Sequence, residues 1–159
     1  MPPSAPEPAQ EVSHPAFVVL ILAVGVGLAV QAAMNAKIGA ALASPVGGAL
    51  VNFLVGLVLL IAALASGLLG RVRFAGLAEA PWWAYLGGAI GAAFVTVSVI
   101  AVPRVGAAVT FAAVIAGQLI GALLLDSLGW LEVTQVPLNP WRLLGAVLLL
   151  VGVVLIQQK

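Results

Sequence analysis

The chain has 159 residues, 64% of them hydrophobic, and carries only six basic and five acidic side chains. A soluble domain is about 45–50% apolar and roughly 25% charged, so this composition excludes a water-facing surface. A net charge of +1 offers no footprint for a nucleic acid, and the lack of cysteine removes disulfides, thiol catalysis and thiolate metal sites. What is left is an integral membrane protein.

Residues 1–15 hold five of the ten prolines, together with Glu7, Glu11 and the single histidine, His14. Such a segment is too acidic for a secretory signal and predicts a disordered, Pro-rich tail. Five apolar runs follow, at about 16–36, 45–69, 82–102, 105–125 and 141–157. A hydrocarbon core of ~30 Å needs about 20 helical residues, so each run predicts a transmembrane helix. Ser44-Pro45 and Asn139-Pro140 place a capping side chain before a helix-starting proline. Pro103 predicts a very tight turn between the third and fourth helices. The expected fold is an all-α integral membrane protein with one five-helix domain over 16–159.

Lys and Arg in the short loops set orientation. Arg71, Arg73 and Arg142 fall on the side of the amino terminus, and Lys37, Arg104 and Lys159 fall on the other. The two sides tie. A tied chain predicts dual topology, with copies inserted both ways and paired as an antiparallel ten-helix dimer. The alternative is that assisted insertion or a charged partner fixes one orientation. Trp82, Trp83, Trp130 and Trp141 all lie on the amino-terminal side. An antiparallel pair would supply an aromatic belt to both interfaces.

Few residues inside the spans can carry chemistry. Gln31 and Asn35 stand four apart on one helix face, and Asn52 is the single amide of the second span. Gln118 lies between Gly117 and Gly121 in the fourth. Amides at membrane depth either bond neighbouring helices or line a cavity that takes a polar solute. Both readings stand, with Gln31, Asn35, Gln118 and Asn52 as candidate solute ligands. Gly87, Gly88, Gly91, Gly117 and Gly121 form small faces suited to packing a second copy. Asp126, at the end of the fourth span, is either an ion- or proton-coupling carboxylate or an interfacial partner of Arg142 or Arg73. With the lone histidine in the tail and no carboxylate pair in the membrane, no catalytic residue, metal or cofactor is expected.

In chain order, Gln31-Ala-Ala-Met-Asn35, Trp82-Trp83-Ala-Tyr85-Leu-Gly87-Gly88, Gly91, Pro103-Arg-Val-Gly106-Ala-Ala, Gly117-Gln118, Asp126-Ser-Leu-Gly129 and Arg142-Leu-Leu-Gly145 resemble the YdcZ-like family of the drug/metabolite transporter superfamily. The likeness covers about residues 16–157. It implies five-helix proteins occurring as homodimers, as heterodimers with a paralogous five-helix subunit, or as fused ten-helix chains. The family pattern after the Gly-Gln pair is Asp-His-Phe-Gly. Ser127 and Leu128 replace its middle residues here, so a role for that histidine does not carry over. The related small multidrug-resistance exporters use a first-helix glutamate, and this first helix has none.

The function expected from all this is transport of a small solute or metabolite across the cell inner membrane. The expected device is a dual-topology antiparallel dimer working by alternating access. The competing readings are a non-transporting subunit packed against a partner membrane protein, and a passive channel. The expected partners are the bilayer, a second copy or paralogous subunit, and a small-molecule substrate, with no nucleic acid.

Overall fold

The computed structural model describes residues 15–67, 70 and 72–158. Five α-helices follow one another: α1 (Pro15–Ala41), α2 (Pro45–Ser66), α3 (Leu86–Val105), α4 (Ala107–Leu128) and α5 (Pro140–Gln157). Short 3₁₀ turns occupy Phe74–Ala78, Trp82–Tyr85 and Trp130–Glu132. With Trp82–Tyr85 joined to α3, all five helices are long and apolar enough to cross a membrane. The tail expected over 1–15 falls on residues outside the described ones, except Pro15, which opens α1.

The boundaries follow local chemistry. The Ser44 hydroxyl accepts from the Gly47 N–H at 3.0 Å, capping α2 with Pro45 in its first turn. The Asn139 side chain does the same for α5, accepting from the Arg142 N–H at 2.9 Å. α1 continues five residues past the expected 36, because nothing before Ala43 breaks it; there φ turns to +48°. α2 stops at Ser66, short of the expected 69, where Gly67 adopts φ +69° and its N–H bonds the Leu64 carbonyl.

Pro103 is not the break between the third and fourth spans. It sits inside α3, which runs on to Val105. The chain turns instead at Gly106, whose φ of +84° and ψ of 159° suit a residue without a Cβ. The proline sits in the last turn of α3, where it removes one backbone donor near a helix end and leaves the helix intact.

α1, α2 and α3 pack against one another, α4 packs on α3 and α1, and α5 packs on α4. The tightest approach is between backbones. A Cβ added to Gly48 would lie 2.8 Å from the Asn35 carbonyl oxygen and 3.0 Å from the Gly39 Cα. One added to Gly39 would lie 2.7 Å from Val99 Cγ1. Glycine therefore lets α1 cross α2 and α3 near the α1–α2 turn.

The core of one chain is thin. Its buried apolar side chains are Ala32, Ala49, Val95, Val99, Ala116, Leu123 and Val153, and no large side chain of the described residues is fully enclosed. Phe17 through Leu22 on α1 and Leu57 through Ile61 on α2 stay exposed. In a bilayer this costs little, because lipid tails solvate leucine as well as a protein interior does.

Candidate functional site

Helical spacing and the α1–α2 crossing bring three of the four candidate amides to one groove. Gln31 and Asn35 lie one turn apart on α1, and Asn52 lies on α2 just past its close crossing with α1. All three line one groove of about 740 Å³ between these helices. Met34, Ile38, Val51 and Phe53 build the wall around them, and Val55, Gly56, Leu57, Leu59 and Leu60 of α2 extend it. The volume falls within the roughly 300–1,000 Å³ of small-molecule sites, and the mix of apolar wall and few amides is typical of them.

Asn35 is the unusual member. It is 5% exposed, yet its side chain bonds no described residue. No polar side-chain atom of the described residues is completely sealed without a partner. The Asn35 amide thus keeps its remaining access through the groove it lines. The other two buried polar side chains are satisfied locally. Ser98 donates to the Phe94 carbonyl at 2.8 Å, and Thr110 donates to the Gly106 carbonyl at 2.8 Å. Gln31 and Asn52 are half-buried.

Gln118 is elsewhere. Ala116 points into the chain's core, and two residues further on a helix is nearly the opposite face, so Gln118 is exposed. The structure does not bring it to the other amides within one chain.

Asp126 is half-buried and forms an ion pair with Arg142, one of the two partners foreseen for it. The pair belongs to a clasp that holds the α4–α5 loop. Arg142 also donates to the Val136 carbonyl at 3.1 Å, and the Val136 N–H donates to the Asp126 carbonyl at 2.9 Å. Gln135 donates to the Ser127 carbonyl at 3.0 Å.

Four of the five candidate packing glycines face open space among the described residues. A Cβ at Gly87, Gly88, Gly117 or Gly121 would meet nothing within 4 Å, and at Gly91 it would meet Phe53 Cζ at 3.9 Å. The glycines that do permit close approach, Gly39 and Gly48, were not singled out by the sequence reading. Their signal was present: Gly39 lies one turn beyond Asn35, and Gly48 follows the Ser44 cap by one turn. Met34 and Phe53 were likewise missed as walls of the groove, since nothing in an apolar run distinguishes a wall from a lipid-facing residue.

Five apolar spans joined by short loops define a multi-pass membrane protein. Residues 16–155 match the family described as "Putative inner membrane exporter, YdcZ", and the chain belongs to that family. It is 34% identical over 143 residues to the protein named "Inner membrane protein YdcZ" of Escherichia coli (strain K12), covering 87% of this chain and 93% of that one. No solved structure matches it. It is a multi-pass protein of the inner membrane.

Proposed function

We propose that the chain is one half of a carrier that exports a small solute, with Gln31, Asn35 and Asn52 as the solute's hydrogen-bonding partners. The observation that carries this reading is Asn35, a buried amide bonded to no described residue in a groove of ligand size. An amide that only glued helices would be bonded to one. The family's description as an exporter supports the direction of transport.

The carrier is an antiparallel pair of copies. The thin core, the exposed Gln118 and the glycine faces open on α3 and α4 all suit a second copy packed against this one. Gln118 lies near the middle of α4 and so near the bilayer midplane, where inversion of a copy leaves depth unchanged. In the pair it faces the solute from the second copy. Exchange of shapes between the two protomers then gives alternating access.

Two measurements test this. A reporter fused to the carboxyl terminus is expected to show activity on both sides of the membrane, and two lysines added beside Arg73 are expected to bias it to one. A thermal-stability screen of the purified protein against small metabolites is expected to find stabilising solutes that undergo counterflow in proteoliposomes. One-sided reporting sinks the antiparallel homodimer. Absence of counterflow by every stabilising solute favours a non-transporting subunit.

A further inference from the structure

We infer that the α1–α2 groove takes an uncharged solute with an apolar body and a head that both donates and accepts hydrogen bonds. This rests on the reading of the groove as a solute site. It goes further by fixing the chemical class of the ligand.

Charge is the first constraint. The groove's lining, drawn from described residues, contains no Asp, Glu, Lys, Arg or His. Lys37 is two residues beyond Asn35, which on a helix is nearly the opposite face, and it is exposed. The ion pair of Asp126 and Arg142 sits at the α4–α5 end of the molecule, and neither residue lines the groove. A cation or anion here would shed water with no opposite charge to replace it, a heavy penalty at membrane depth. A neutral solute avoids that penalty.

The polar groups set the head. Each primary amide presents two N–H donors and a carbonyl acceptor. Three of them along one groove offer both functions there, so an amide, urea or hydroxyl-rich head satisfies more of them than an ester or ether. Asn35 is 95% withdrawn from solvent and bonded to no described residue, so an occupant with such a head gives it the partner the chain does not. The walls set the body. Met34, Ile38, Phe53 and Leu57 present thioether, aliphatic and aromatic surfaces, which an aryl or branched alkyl group covers well.

The test uses three compounds of nearly one shape: phenylacetamide, phenethylammonium and phenylacetate, neutral, cationic and anionic at pH 7. Equilibrium dialysis against the purified full chain in detergent reads binding without interference from passive leak. Phenylacetamide is expected to bind saturably, and each charged analogue at least about tenfold more weakly. Asn35→Leu and, separately, the half-buried Asn52→Leu are each expected to weaken phenylacetamide by about tenfold, the worth of one hydrogen bond. Equal or tighter binding of either charged compound overturns the inference, as does binding of none, or phenylacetamide binding untouched by both substitutions. The carrier reading fails separately. If phenylacetamide binds as expected but no stabilising solute shows counterflow, the neutral groove stands and transport does not; if phenethylammonium binds best and is counterflowed, transport stands and neutrality falls.

Discussion

The α1–α2 crossing and the α4–α5 corner treat polar side chains in opposite ways. At the corner, Asp126 and Arg142 are about three-quarters buried and answer one another, and the loop between them is bonded back to α4 and α5. At the crossing, Asn35 is more deeply buried and bonded to no described side chain. A polar network that closes on itself holds a structure together. One left open keeps its binding capacity for something that arrives later, at a cost to the empty protein. On the proposed reading, the charged residue that composition makes conspicuous holds the corner together, and the inconspicuous amide serves the solute.

The sharpest way to break the comparison is to remove the geometry that creates the groove. Gly48→Ala places a methyl group 2.8 Å from a backbone oxygen that cannot swing aside. The expected cost is about 1–3 kcal/mol of stability, as for other overpacked sites, with solute binding lost alongside. Gly121→Ala meets nothing within 4 Å among the described residues of its own chain, so a lone protomer is expected to change by less than about 0.5 kcal/mol, and any larger loss to come from the proposed pair. Thermal unfolding of both variants in detergent reads the contrast. Equal losses would mean that α4 has a close neighbour, the second copy, and would place Gly121 in that interface.

A second expectation separates function from stability within the groove. Asn35→Leu removes a donor and an acceptor that no described residue uses. Unfolding of the empty protein is therefore expected to hold or rise, since a buried unpaired amide is exchanged for a side chain that suits lipid. Solute affinity is expected to fall by about 5- to 150-fold, the equivalent of ~1–3 kcal/mol for solute groups left unpaired. Loss of stability with transport intact would return Asn35 to a packing role. Gln118→Leu is expected to follow Asn35→Leu in transport if, as proposed, an antiparallel second copy brings it to the same solute.

Much of this arrangement was legible in the residues. Hydropathy marks all five spans, and the Ser44 and Asn139 caps mark two helix starts. The four-residue step between Gln31 and Asn35 put them on one face, which they share in the groove. The meeting of that face with Asn52 was not legible, because it depends on how α1 and α2 cross. Gly39 and Gly48 govern the crossing, and in a chain with 18 glycines their role shows only once the backbones are side by side. Pro103 misled for a related reason. A proline in a last turn and a proline between helices look alike until the residue with positive φ, Gly106, is known.

The smallest expected effect concerns the corner. The Asp126 and Arg142 side chains keep 24% and 26% of their surface exposed, so solvent screens part of their attraction. Exposed pairs contribute ~0.2–1 kcal/mol in double-mutant cycles, and one gripping a loop belongs toward the top of that range. Arg142→Leu also removes the bond to the Val136 carbonyl, so alone it is expected to cost more than Asp126→Asn. Unfolding of both single variants and the double variant gives the coupling. It is expected to be positive, near 1 kcal/mol, and to shrink as salt is raised from low to high. Solute affinity should not move in any of the three, since neither residue lines the groove. If Asp126→Asn instead leaves stability unchanged and abolishes the dependence of flux on a pH gradient, the carboxylate serves proton coupling and the clasp is incidental to it.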